Sequence, residues 1–199
     1  MNEEIPLRDQ ILETSRHFLF EKGHSSLSMR KIANKIGVSA TSIYLYFDNK
    51  DHLLHTLIEE SVEELSVAIE LAAEEANGPI DRFEAIINGY VDFAFNKPEK
   101  YQVIYMVRSE AMARYPKEKF RKARRCYELL VKTIQEGIAK RVIKVEKPMV
   151  AAYSIWAQLH GVVSVVLNQR LDSRIDRKEF LKESVNHIVE GFLVRTTVS

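Results

Sequence analysis

Apolar positions in this chain recur at helical spacing, and the shortest of these patterns is the most informative. Met29, Ile32, Ala33 and Ile36 fall at i, i+3, i+4 and i+7 on one stripe, while Arg30, Lys31, Asn34 and Lys35 lie off it. Ser28 stands where a hydroxyl can cap the start of that helix, and Gly37 where a left-handed residue can end it. Val38 fills the corner and Ser39 can cap a second helix, on which Ile43 and Phe47 are four apart and face inward. Thr41 and Leu45 then face outward, with Ser42 and Tyr44 at the margins. A helix, a glycine turn and a second helix crossing it tightly make the layout that places one helix in the DNA major groove.

Downstream the helical period persists and breakers divide it. Asp48 or Asn49 can start a long helix through Leu54, Leu57, Ile58, Leu65, Ile69 and Ala73, stopped at Asn77-Gly78-Pro79. Its glutamates, from Glu59 to Glu75, read as a solvated face. Ile80, Phe83, Ile86, Ile87, Tyr90, Val91, Ala94 and Phe95 mark the next helix, ending near Asn96-Lys97-Pro98. Tyr101, Ile104, Tyr105 and Met112 mark a shorter one, closed by Tyr115-Pro116. Phe120, Ala123, Tyr127, Leu130, Val131, Ile134 and Ile138 mark another, ending between Gly137 and Arg141. Two final helices are predicted over 147–171 and 176–194. The expected fold is all-α with about nine helices: a helix-turn-helix domain over 1–50, and a helical regulatory, effector-binding and dimerisation domain over 51–199.

Composition narrows the function. The 199 residues are 46% hydrophobic, enough for a real core, but the first domain alone is small and needs support. With 29 basic and 28 acidic residues the chain is no generic polyanion binder. The balance is local instead: from Lys22 to Phe47 the charged residues are Lys22, Arg30, Lys31 and Lys35, with no Asp or Glu. Cys126 is the single cysteine, which excludes an internal disulfide and suits a reducing compartment. The apolar run from Ile11 to Phe20 is broken by Glu13, Arg16 and His17, and that from Gly161 to Leu167 is too short to cross a bilayer. A cytoplasmic protein without a membrane segment is expected.

The pattern Ser28-x-x-x-Ile32-Ala33-x-x-x-Gly37-Val38-Ser39-x-x-x-x-Tyr44-x-Tyr46-Phe47-x-x-Lys50-x-x-Leu53 resembles the DNA-binding domain of the TetR family of bacterial transcriptional regulators. The resemblance extends upstream through Arg8, Ile11, Leu12, Phe18 and Gly23, and departs at Thr14-Ser15, where an alanine is common. It implies that Tyr44, Tyr46 and Lys50 hold DNA phosphates, that Ser28 and Arg30 meet phosphate or a base, and that Ala40, Thr41 and Ser42 occupy recognition positions. With Ser39 and Leu45 on the same short helix, these ten residues are the candidate DNA-binding set.

The resemblance also implies a homodimer through the two C-terminal helices, a near-palindromic operator and a small-molecule effector, most commonly with repression as the outcome. The small and branched side of 147–171 (Val150, Ala151, Tyr153, Ser154, Ala157, Gly161, Val162, Val165, Val166) and the side carrying Phe180, Ser184, His187, Ile188, Gly191 and Phe192 suit close helix packing. Trp156, His160 and Gly161 form a W-x-x-x-H-G spacing similar to the regulatory domain of one TetR subgroup. The candidate effector pocket is Phe83, Ile87, Tyr90, Phe95, Tyr105, Met106, Met112, Tyr127, Trp156 and His160, whose chemistry favours an apolar or aromatic ligand with one polar handle. Lys117, Lys119, Arg121, Lys122, Arg124 and Arg125 spread around a helix and read as surface. An enzyme or carrier would need a constellation that the chain lacks: His52, His55 and Glu59 have no fourth ligand nearby, Cys126 has no neighbouring base, and no phosphate-binding glycine loop is present. Neither a cofactor nor a metal is expected. A DNA-binding regulator controlled by a partner, without a ligand, remains the other reading.

Overall fold

The computed structural model describes residues 5–22, 27–106 and 121–194. Among them are nine helices and no strand: α1 Leu7–Lys22, α2 Met29–Ile36, α3 Ala40–Tyr44, α4 Lys50–Glu74, α5 Pro79–Asn96, α6 Pro98–Met106, α7 Arg121–Ala139, α8 Pro148–Leu167 and α9 Arg177–Glu190. A single isolated bridge joins Ile143 to Leu193. The all-helical expectation holds.

Local chemistry sets the helix starts. Asn49 Oδ1 accepts from the His52 N–H at 2.8 Å and opens α4, and Asp176 Oδ1 accepts from the Glu179 N–H at 2.9 Å and opens α9. Pro79, Pro98 and Pro148 are each the first residue of a helix. The two read as stops, Pro79 and Pro98, therefore serve as starts, because a proline at the first helical position loses no hydrogen bond and already has the right φ.

The chain divides into two compact units, one of Met1–Glu63 with Lys97–Lys122, the other of Glu64–Asn96 with Ala123–Ser199. This differs from a cut after residue 50: the first part of α4 belongs with the head, and so does α6. Leu53, Leu54 and Leu57 are fully buried there beside Ile11, Leu12, Ile32, Ile43, Phe47 and Tyr101, supplying apolar surface that fifty residues alone lack. α1 packs on both α2 and α6. Ser15, where alanine is common, is fully buried and donates to the Ile11 carbonyl at 2.6 Å, so its hydroxyl is satisfied within α1. Arg8 and Arg16 of α1 both reach Glu60 of α4, at 2.9 and 3.0 Å.

In the second unit α5, α8 and α9 pack on one another. Arg125 of α7 pairs with the Glu70 carboxylate of α4, and Arg82 of α5 lies 2.5 Å from Glu136 of α7. α8 differs from the sequence-based expectation. All twenty residues from Pro148 to Leu167 form one uncharged helix, long and apolar enough to cross a membrane by length and composition. The apolar stretch Gly161–Leu167 is only the last part of this helix. Ala151, Ala152, Ile155, Leu159, Val163 and Val166 are its buried side, whereas Met149, Val150, Tyr153 and Trp156 are exposed.

Gly37 sits at φ 84°, where a Cβ is strained whatever space surrounds it. Gly37→Ala should lower stability by about 1 kcal/mol or more, read as a lower urea midpoint at unchanged slope. Gly37→Asn should cost less, since asparagine tolerates the left-handed region.

Candidate nucleic-acid interface

Three backbone devices build the corner between α2 and α3. Ser28, in extended conformation, accepts from the Lys31 N–H at 3.2 Å and starts α2. The N–H groups of Gly37 and Val38 both donate to the Ala33 carbonyl, at 2.9 and 3.0 Å, which closes α2 and turns the chain. Ser39 Oγ then accepts from the Ser42 N–H at 3.1 Å and lies 2.8 Å from Ser42 Oγ, which starts α3.

Burial orients α3. Ile43 and Phe47 are buried to within 1% of completeness, and the Phe47 ring meets the His52 ring edge-on at 5.6 Å. His52 Nδ1 in turn accepts from the Asp48 N–H at 3.3 Å, so this histidine belongs to the start of α4. Thr41, Tyr44, Leu45 and Tyr46 are left exposed, Ala40 and Ser42 half-buried at the edge. Arg30, Lys31 and Lys35 are exposed on α2, and Lys50 is half-buried at the first position of α4. No charged residue lies between Ile36 and Phe47. The result is an uncharged projecting surface with cationic side chains on the neighbouring helices. Within the candidate set, Ser28 and Ser39 have their hydroxyls committed to helix starts.

Within the second unit the described candidate effector residues fall in three places. Phe83, Ile87 and Tyr90 are buried in the core, with Phe83 edge-on to Phe192 at 6.3 Å. Phe95 lies 4.7 Å beneath the Arg177 guanidinium, beside a groove of about 630 Å³ between α5 and α9. Val91, Leu181, Val185, Lys178 and Lys182 also line that groove. Tyr127 donates to the Met149 carbonyl at 2.7 Å and packs on Tyr153 at 4.6 Å, while Trp156 stacks on His160 at 5.7 Å. Tyr153 and Trp156 are exposed, and Tyr127 and His160 half-buried. Tyr105 packs on Tyr101 at 4.8 Å in the first unit. Met112 and the side chain of Met106 lie outside the described residues, as do the side chains of Lys117, Lys119, Arg121, Lys122 and Arg124. The sequence reading missed Tyr153 as a pocket candidate and Arg177 altogether. Tyr153 stands three residues before Trp156 and was readable as its neighbour on the same face.

Burial pushes the Cys126 thiol up, a hydrogen bond with Ser66 opposes this and the Glu70 carboxylate adds to it, so the thiol form is favoured. Burial and then Tyr153 raise the Tyr127 hydroxyl, and burial lowers His160 from the usual imidazole value of 6.5.

Comparison with known proteins agrees with this geometry. Residues 11–57 match the family described as bacterial regulatory proteins, tetR family, and residues 83–188, more than half of the chain, match the Tetracyclin repressor-like C-terminal domain. The chain belongs to the TetR family. The HTH-type transcriptional regulator Rv1816 of Mycobacterium tuberculosis is 26% identical over 98 residues, 48% of this chain and 42% of that protein. The match thus spans less than half the length of that curated relative. Among solved structures, a Rhodococcus sp. RHA1 protein of unknown function superposes with TM-score 0.79 at 24% identity, covering 97% of this chain and 98% of that one. The fatty acid degradation regulator FadR of Bacillus halodurans superposes with TM-score 0.74 at 21% identity, over 94% and 97%. At these identities the two structures share the TetR fold with this chain.

The stacked pair on α8 has a measurable consequence. Below pH 6.5 the unfolded chain protonates this histidine before the folded chain does, so protonation of His160 opposes folding as pH falls. Trp156 is the only tryptophan and reports the event. Its fluorescence should fall through a titration centred below 6.5, and His160→Gln should abolish that step.

Proposed function

We propose that this TetR-family chain is a sequence-specific DNA-binding transcriptional regulator whose candidate interface is the outward face of α3 with its cationic surroundings. The observation that carries the reading is the held projection of an uncharged helix face between exposed cations, since base edges are read by such a face and phosphates by the cations. Tyr44, Tyr46, Lys50 and Arg30 take the phosphates, and Ala40, Thr41, Ser42 and Leu45 face the bases. Ser28 and Ser39 act through the helix starts they cap and through backbone N–H groups at those starts.

The working unit in this reading is a homodimer built on α8 and α9. A Cβ added at Gly161 would meet nothing within 4 Å in the same chain, so the small face of Ser154, Ala157 and Gly161 has room for a second helix. Val150 is 61% exposed on that face, and Phe180, Ser184 and His187 of α9 are also incompletely covered. Two copies joined this way present two heads to the half-sites of a near-palindromic operator. The protein acts in the cytoplasm, where its operator is, and α8 is accounted for by packing rather than by a bilayer.

Release from the operator is assigned to a small effector with an apolar or aromatic body. The α5–α9 groove supports this better than the dispersed aromatic set, because it offers Val91, Phe95, Leu181 and Val185 to the body and Lys178 and Lys182 to a polar handle. A ligand preferring the conformer with mis-spaced heads lowers operator affinity by population shift, which makes a repressor.

Unbiased selection from random duplexes should recover a near-palindromic site bound by a dimer, with affinity falling steeply as salt rises. Lys50→Ala should weaken all sequences alike, by about tenfold or less, and reduce the salt slope by about one. Binding that is absent, or indifferent to salt, contradicts the DNA reading. Gly161→Arg should yield a folded monomer in sedimentation that has lost operator affinity; a dimer with intact affinity would place the interface elsewhere.

A further inference from the structure

We infer that base readout by this chain is a methyl readout: Thr41 and Leu45 select thymines one or two base-pair steps apart in each half-site, through the thymine C5-methyl groups. The inference rests on the operator-binding reading above and specifies what that operator contains.

Leu45 is 80% exposed, more than any other large apolar side chain among the described residues, and Tyr44 and Tyr46 beside it are exposed as well. A single exposed leucine is ordinary, but this one terminates the helix whose other face is pinned in the core by Ile43 and Phe47. Its φ of −69° and ψ of −23° keep it helical, so it shares a face with Thr41 one turn earlier. One helical turn rises about 5.4 Å and one base-pair step about 3.4 Å, so the two methyl-bearing side chains span one to two steps.

What the surface lacks points the same way. From Ile36 to Phe47 there is no Arg, Lys, Asn, Gln, Asp or Glu. Those are the side chains that read guanine, adenine or cytosine by hydrogen bonds in the major groove. Ser39 Oγ accepts from the Ser42 N–H and lies within hydrogen-bond distance of Ser42 Oγ, so part of the hydrogen-bonding capacity of both hydroxyls is spent within α3. The major-groove feature that methyl groups on α3 can recognise is the thymine methyl, the apolar group displayed by an A·T pair.

The test replaces each thymine of the selected operator in turn with uracil, which deletes the C5-methyl and leaves base pairing intact. For the full-length protein, uracil at one or two positions per half-site should weaken binding about three- to fivefold each, and uracil elsewhere should change nothing. Leu45→Ala should bind the thymine and uracil duplexes equally at its position, near the affinity of the unmodified protein for uracil. Placing 5-methylcytosine there instead of cytosine, in a C·G pair, should recover part of the binding to the unmodified protein. An operator bound normally but insensitive to uracil at every position overturns the inference while leaving the DNA reading in place, and so does uracil sensitivity undiminished in Leu45→Ala. Failure to select any operator overturns both. The duplex modifications leave the protein unchanged, so folding of a variant does not decide the result.

Discussion

A helix of five residues does not hold its own shape in water, because nucleation costs more than one turn of hydrogen bonds returns. α3 is such a helix, and the interface depends on what fixes it from outside. Ile43 and Phe47 anchor one face, the Ser39 cap sets the start, and Gly37 brings the chain round from α2 in the left-handed conformation that closes the corner. Once these are in place, the directions of Thr41 and Leu45 follow from the helical period without any further interaction. The same anchoring carries the Phe47 ring to the start of α4, where His52 meets it and Lys50 emerges. The outward positions of α3 and the start of α4 are thus set by one apolar contact region.

α4 is gripped separately in each unit. In the first, Glu60 takes Arg8 and Arg16 from α1; in the second, Glu70 takes Arg125 from α7. These pairs are partly exposed, so each contributes modestly to stability, and their value lies in fixing which faces of α4 meet α1 and α7. α4 runs unbroken across the division between Glu63 and Glu64 and so contributes apolar positions to both units.

The features legible in the sequence are those governed by near neighbours. Ser28, Gly37 and Ser39 announce their turns because caps act over three or four residues, Asp48 and Asn49 are alternatives for the next start, and the faces of α2 and α3 follow from periodicity. Periodicity says which residues share a face but not which helix that face meets. Tyr127 and Phe95 therefore read as members of one pocket, although Tyr127 packs on Tyr153 of α8 and Phe95 lies under Arg177 of α9. The grouping of α6 with the head depends on contacts with α1 at long sequence separation, and no local pattern encodes it. Pro79 and Pro98 were read as terminators because proline excludes helix before it as strongly as it permits helix after it. Ser15 looked like a departure from the family and proved to be a buried hydroxyl satisfied by its own helix.

If the outward face of α3, as oriented by Ile43 and Phe47, chooses the bases, altering one side chain on it changes the selected site and nothing else. Parallel selections from the same random duplex pool, with the unmodified protein and with Thr41→Ala, test it most directly. Both should recover the same near-palindromic frame and spacing, with the base preference relaxed in the variant at one position, or two adjacent ones, of each half-site. Identical base preferences from the two proteins would contradict it.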